Sequence, residues 1–419
     1  MALIVQKYGG TSVGTTERIR AVARRLIARK VAGDEVVAVV SAMGHVTDEL
    51  VELAAEICAD PPDREMDMLL STGEQVSIAL LAMAIHAEGY DAVSFTGPQV
   101  GIVTDPVHGK AKIQAVRADR VREALDGGKI VIVAGFQGVT EDGQITTLGR
   151  GGSDTTAVAV AAGIDADVCE IYTDVDGVYT ADPRIAPAAR KIDSISYDEM
   201  LEMAASGAGV LQLRSVEFAR NHGVVIHCRS SFSDIPGTIV KEADETMEQA
   251  IISGVTHDTS EAKITIRDVP DRPGVAAMVF TRMAQANVNV DMIIQNVSED
   301  GSTDISFTAP KTDLTRAKRA AADVVAELEA RTWSVDESIA KVSLVGAGMK
   351  THPGVAAQMF SSLAEAGVNI DMISTSSIRI SCVVEGDKVG AAVRALHTSF
   401  GLDEESVTAE VSPGCGGGE

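Results

Sequence analysis

Aromatic side chains make up only 3% of this 419-residue chain, with a single tryptophan. Its cores therefore have to be aliphatic, built from Val, Ile, Leu, Ala and Met. Paired cysteines are lacking as well: Cys58, Cys169, Cys228, Cys382 and Cys415 are odd in number, scattered, and form no CxxC. That excludes a disulfide framework and a zinc site, and it suits reduced thiols in the cytosol. Positive charge is short, with a formal net charge of −24. This argues against nucleic acid, whose phosphates need a basic surface, but not against a small anion in a local basic pocket. The longest apolar run, residues 79–85, falls far short of the ~20 residues of a membrane span. The N-terminal MALIVQKYGG lacks the basic leader and apolar core of a signal peptide. A cytoplasmic protein with no membrane partner is expected.

What is present, 45% hydrophobic and 23% charged residues, fits a globular chain long enough for two or three domains. Residues 1–240 alternate short β-branched runs with amphipathic stretches. Strands are predicted at 3–6, 35–40 (EVVAVV), 129–134 (KIVIVA) and 168–173 (VCEIYT). Helices are predicted at 16–30 and 68–87, and one begins at 155–162. Continuous apolar strands between helices predict a parallel sheet covered on both faces, with ligands at the strands' carboxyl ends. From 241 to 262 the pattern loosens into charged and turn-forming residues, which reads as a linker.

Beyond it lies an internal repeat. The segment Pro273-Gly274-Val275-Ala276-Ala277 recurs as Pro353-Gly354-Val355-Ala356-Ala357, and VNVDMI from Val288 recurs as VNIDMI from Val368, both at one offset of 80 positions. Two agreeing matches define two modules, 263–338 and 339–410, ahead of a tail at 411–419 that reads as disordered. Each module reads strand, Pro-Gly turn, helix, strand, strand. A βαββ unit leaves an apolar face or edge unsatisfied, so the two should pair with one another. They are either twin small-ligand modules or duplicated packing without a ligand.

Three glycine- or acid-rich segments can carry chemistry. In Val5-Gln6-Lys7-Tyr8-Gly9-Gly10-Thr11-Ser12-Val13 a strand delivers Lys7 to its carboxyl end. Two glycines then allow positive φ and a close approach of main-chain N–H groups to an anion. A cation beside such a nest suits phosphoryl transfer, which is mostly positioning and charge neutralisation. The spacing is not a Walker A loop, and an ordinary tight turn would look the same. In Gly149-Arg150-Gly151-Gly152-Ser153-Asp154 a second cluster opens a helix. Arg150 offers a fork for a carboxylate, and Asp154 is either an organiser of Lys7 or a helix cap. In Asp174-Val175-Asp176-Gly177-Val178-Tyr179, followed by Asp182-Pro183-Arg184, an acidic loop leaves a strand without the terminal Glu of an EF-hand. Glu74 is placed in the first turn of a helix over 76–87, where it could simply complement the dipole.

In this order the segments resemble the aspartokinase family, within the amino-acid kinase superfamily, over nearly the whole chain. KYGGTS is close to family-specific, and the likeness is strongest to the actinobacterial type regulated by lysine plus threonine. The resemblance implies a carbamate-kinase-like αβα sandwich followed by two ferredoxin-like ACT modules. It implies transfer of the ATP γ-phosphate to the β-carboxylate of L-aspartate, giving 4-phospho-L-aspartate, the first step toward lysine, threonine and methionine, with Mg²⁺ held mainly by the phosphates. Lys7 and Asp154 would be catalytic. Lys7, Tyr8, Gly9, Gly10, Ser41, Asp174, Val175, Tyr179 and Arg184 would hold nucleotide. Thr47, Glu74, Arg150, Gly151, Gly152 and Ser153 would face aspartate, Glu74 taking its ammonium. Threonine or lysine would bind between ACT modules at Asp271, Ala276, Asn289, Val290, Asp291, Gln295, Asn369, Ile370, Ser376 and Ser377. ACT pairing implies a homo-oligomer, or an α2β2 assembly with a shorter subunit started near Met247. No metal-ligating residues are assigned.

The chain departs from that pattern twice. Gly209 stands where relatives carry a lysine thought to reach the nucleotide phosphates, which implies weaker ATP binding. Ser377 stands where they usually carry Glu, which implies weakened feedback. Two other readings stay open: a related kinase for another acidic amino acid, and a non-catalytic ACT sensor on a degenerate kinase domain.

Overall fold

The computed structural model describes residues 1–243, 251–297, 301–328 and 330–403. Met247, Cys415 and the tail at 411–419 lie outside them. The N-terminal part runs β1 (Leu3–Tyr8), α1 (Thr16–Val31), β2 (Glu35–Val40), α2 (Val46–Ile57), α3 (Asp63–Ala87), β3 (Ala92–Phe95) and α4 (Gly97–Val100). It continues through β4 (Ile102–Thr104), β5 (Ile113–Val116), α5 (Asp119–Asp126), β6 (Ile130–Ala134), β7 (Gln137–Val139) and β8 (Ile145–Thr147). It closes with α6 (Gly152–Gly163), β9 (Val168–Thr173), β10 (Ser194–Ser196), α7 (Tyr197–Ala205), α8 (Leu213–His222), β11 (Ile226–Ser230) and β12 (Thr238–Lys241).

The main sheet has eight strands in the order β10-β12-β11-β9-β1-β2-β6-β3, all parallel except the β11–β12 pair. Every residue of β6, and all of β2 but Glu35, is buried, as expected of strands covered on both sides. On one face Ile19, Val22 and Leu26 of α1 join Ile78, Leu81 and Ile85 of α3 over Val36, Ala38 and Val40. On the other, α5, α6, α7 and α8 cover Val5, Val37, Val39 and Ile171. Each fully buried Val or Leu contributes roughly 1.5–3 kcal/mol. The strand order runs outward in both directions from β1, so the crevice at its carboxyl end is a switch point, where α/β sheets bind ligands. A small sheet, β5-β4-β7-β8, flanks that end; the sequence reading did not anticipate it.

Helix α3 starts earlier than expected. Pro62 precedes its first residue, Asp63, so Glu74 lies in the helix interior and not in a first turn. Its 25 residues include an 18-residue window of mean hydropathy 1.5, long and apolar enough by composition to cross a membrane. The apolar stretch is thus longer than the sequence reading allowed. Here α3 packs against α1 and the sheet and buries both Asp67 and Glu74, which marks a core helix.

The C-terminal part runs β13 (Gly254–Asp258), β14 (Glu261–Pro270), α9 (Val275–Gln285), β15 (Ile293–Val297), β16 (Ser302–Pro310), α10 (Leu314–Leu328) and β17 (Thr332–Asp336). Then follow β18 (Ile339–Val345), α11 (Val355–Glu365), β19 (Met372–Thr375), β20 (Arg379–Glu385) and α12 (Val389–Ser399). Two four-stranded sheets form, β15-β16-β14-β17 and β13-β18-β20-β19. Each module thus adds a second helix and a fourth strand to the βαββ pattern. The segment read as a linker is not one throughout, because β13 pairs antiparallel with β18 from Gly254↔Val345 to Asp258↔Lys341. The second module is therefore discontinuous, with the first inserted between two of its strands. Among the described residues the modules meet through Met292, Ile339, Met372 and Val383 and through three ion pairs, Lys341–Asp291 (2.5 Å), Lys341–Glu261 (3.0 Å) and Lys263–Asp371.

Candidate active site

Strand β1 projects Lys7 from the sheet's centre, and α6 enters from above. The Lys7 ammonium lies 2.5 Å from Asp154 Oδ1, with side chains 13% and 8% exposed. Helix α6 begins on Gly151, at φ +71, with no side-chain cap. The Asp154 carboxylate is therefore engaged with Lys7, and the capping alternative does not hold. Gly151 is required twice over: its φ is left-handed, and a Cβ would come 2.2 Å from Gln212 Cγ. Gly9 and Gly10 serve differently from the expectation, since neither has positive φ. A Cβ on Gly9 would lie 3.4 Å from Lys7 Nζ, and one on Gly10 3.0 Å from the Ala42 carbonyl oxygen. Closeness, not handedness, favours glycine at Gly10, whereas a Cβ on Gly9 would be in ordinary contact.

Glu74 reaches the same cavity from α3. Its Oε1 accepts a hydrogen bond from the Ala42 N–H at 3.1 Å, while Oε2 is buried without a partner among the described residues. Burial pushes this carboxyl from 4.5 up to about 7, with its main-chain hydrogen bonds pulling the other way. A buried carboxylate oxygen with nothing to accept from is a ready seat for a cationic donor.

The cavity, about 300 Å³, brings together Lys7, Gly9, Gly10, Ser41, Thr47, Glu74, Arg150, Gly151, Gly152, Ser153 and Asp154. Ser41, expected on the nucleotide side, lies with this set. Phe136 and Gln212 also line it and were not foreseen. Phe136 is one of few non-glycine residues with positive φ, +69, at the carboxyl end of β6, and strain of this kind gathers at functional sites. Its place after KIVIVA was the available signal; Gln212 offered none.

A larger cavity, about 760 Å³, is lined by Asp174, Val175, Tyr179 and Arg184 together with Gly209. Strand β13, through Val255, His257 and Asp258, supplies another wall. Tyr179 is raised by burial and by Asp176. Arg184 is 88% exposed and pairs with Asp182 at 2.7 Å, so its fork is already engaged. Tyr8 lines neither cavity: it is fully buried, stacks on Tyr172 and donates to Gln6 Oε1 at 3.0 Å. Its side chain cannot reach a ligand.

The expected effector residues split between the modules. Asp271 and Ala276 are exposed near the start of α9, and Gln295 is exposed on β15. Asn289, Val290 and Asp291 precede β15, with Asp291 on Lys341; Asn369 and Ile370 precede β19. Ser376 and Ser377 are exposed after β19, and Ser376 Oγ donates to Glu202 Oε1 on α7 at 3.0 Å. Arg379 also meets Glu202, at 3.3 Å.

Comparison with known proteins agrees with this layout. The amino acid kinase family model matches residues 2–230, and an ACT domain model matches 267–324 and 342–400. An aspartokinase of Mycolicibacterium smegmatis is 58% identical over 414 residues, covering 97% of this chain and 98% of that one. The structure of E. coli aspartokinase III in complex with aspartate and ADP (R-state) superposes with a TM-score of 0.81 at 27% identity, covering 95% of this chain and 99% of that one. The same enzyme in complex with lysine and aspartate (T-state) gives 0.75 at 26%, with the same coverage.

Proposed function

The chain belongs to the aspartokinase family, and we propose how its own side chains divide the labour of that family's reaction, transfer of the ATP γ-phosphate to the β-carboxylate of L-aspartate. The observation that carries the assignment of roles is the Lys7–Asp154 pair inside one cavity with Glu74 and Arg150.

Aspartate's ammonium seats on the unpartnered Oε2 of Glu74. Its α-carboxylate meets Arg150, whose planar fork suits two oxygens. That leaves the β-carboxylate facing Lys7. Already ionised at neutral pH, it attacks the γ-phosphorus in line with no need of a general base, and the bond from that phosphorus to the β–γ bridging oxygen breaks as ADP leaves. Lys7 neutralises the transferring phosphoryl group, and Asp154 fixes where that ammonium stands; preorganised charge of this sort is the main catalytic term in phosphoryl transfer. The nucleoside occupies the larger cavity, with Asp174, Val175 and Tyr179 at its wall. Mg²⁺ would accompany ATP and supply positive charge against its phosphates. Among the described residues no group of three His, Cys, Asp or Glu could hold a metal.

We further infer a cytoplasmic enzyme that pairs through its ACT modules, as a homo-oligomer or an α2β2 assembly, and takes threonine or lysine at the positions named above, with Ser377 weakening that response. Incubation with aspartate, hydroxylamine and Mg-ATP tests the reading: it should yield aspartyl hydroxamate. Glutamate or N-acetylglutamate outperforming aspartate, or no product at all, would overturn it.

A further inference from the structure

Arg150 sits on a turn whose position is not set by that turn alone. Beneath it Asp67 of α3, 0% exposed, gathers three donors onto one carboxylate. These are His108 Nδ1 at 2.6 Å, the Gly109 N–H at 3.1 Å and Thr147 Oγ1 at 2.5 Å. Beside it Arg214 of α8 donates to the main-chain oxygens of Leu148 at 2.5 Å and Ala111 at 2.9 Å. The same two segments are tied to each other by the Ala111 N–H on the Thr147 oxygen, at 3.0 Å. Gly109 O closes the stack, lying 3.0 Å from where a Cβ on Gly149 would be. Asp67 and Arg214 thus hold one pair of strands' ends, residues 108–111 and 147–149, from two directions. Neither lines either of the two cavities described above, and Arg214 has no carboxylate partner among the described residues.

We propose that Asp67 and Arg214 are positioning residues for aspartate, acting through the turn that carries Arg150. The proposal rests on Arg150 receiving the substrate carboxylate. Asp67 and Glu74 are seven residues apart on α3, about two turns of one helix, so the seat for the ammonium and the anchor of the Arg150 turn share one rigid rod. Loosening that anchor changes the spacing between the two charges that grip aspartate. The nucleotide's cavity has other walls. A displacement of about 1 Å at a binding group is enough to cost orders of magnitude in rate or affinity.

The test compares Asp67→Asn and Arg214→Lys with the unaltered chain, measuring KM for aspartate, KM for ATP and the thermal midpoint. A lysine cannot span two carbonyls as the guanidinium fork does. Both variants should raise KM for aspartate about tenfold or more and leave KM for ATP within about twofold. A residue needed only for folding would lower the midpoint or kcat without separating the two KM values. Should Asp67→Asn fail to fold, Thr147→Val removes one donor and should shift KM for aspartate the same way. Arg150→Ala is the control. If it raises KM for aspartate while the others leave both KM values alone, or raise both equally, the positioning proposal falls and the Arg150 assignment stands. If Arg150→Ala leaves KM for aspartate unmoved, the assignment falls and takes the proposal with it.

Discussion

Glu74 sets stability against binding, and the trade can be measured. Its carboxyl is 3% exposed, with one oxygen bonded to the Ala42 N–H and the other to nothing among the described residues. Below pH 4.5 the group is protonated in both folded and unfolded chains and costs nothing. As pH rises the unfolded chain ionises first, and above about 7 the folded protein carries a buried, half-partnered anion. The gap between those values, at 1.36 kcal/mol per pH unit, is about 3 kcal/mol of stability absent at alkaline pH and restored as pH falls. Glu74→Gln keeps an acceptor for Ala42 and removes the charge. Without ligands it should therefore raise the unfolding midpoint at pH 8 and have little effect near pH 4.5, which melting curves at several pH values would show. The same change deletes a charge-assisted contact to the ammonium, worth about 1.5–3 kcal/mol, so KM for aspartate should rise roughly ten- to a hundredfold at pH 8. A variant less stable at pH 8 than the unaltered chain, or one with unchanged KM for aspartate, would refute the account.

Asp154→Asn leaves Lys7 a nearly buried cation without its partner; kcat should fall about a hundredfold or more in steady-state assays, and a loss under threefold would contradict the role given to the pair. At Gly209 a Cβ meets nothing within 4 Å among the described residues, so Gly209→Lys should be accommodated. It should raise kcat/KM for ATP roughly ten- to a hundredfold by adding one charge-assisted contact; identical kinetics would sink that idea. Ser377→Glu should sharpen inhibition by lysine plus threonine in a dose–response assay, and an unmoved curve would show that this position does not set feedback strength.

Much of the kinase layer was legible because its signals are local. The runs at 35–40 and 168–173 have apolar side chains on both faces, and a buried parallel strand is nearly their only home. The Lys7–Asp154 meeting was foreshadowed by two glycine clusters that each end a strand and open a helix. Helix α3 was misread at Glu74, an acidic residue of the kind that suits a helix's first turn. Packing overrides it: Gly73 is the point of closest approach to Ala42, where a Cβ would come 2.9 Å from the Ala42 side chain. Strand β13 escaped notice because its GVTHD is short and its partner β18 begins 81 residues after β13 ends. No window shorter than that could reveal the pairing. The same distance hid His257 and Asp258 as walls of the larger cavity.

That threading has a consequence for the chain's modular history. Asp258 and Lys341 face each other across one ladder, so residues 261–336 hang from a β-hairpin whose tip they occupy. Cut out as a cassette, they would leave two adjacent strands that need only a short turn to be rejoined, with the remaining sheet intact. The regulatory region is thus one module carrying another as an insert, and it is the host, not the guest, that forms a wall of the larger cavity.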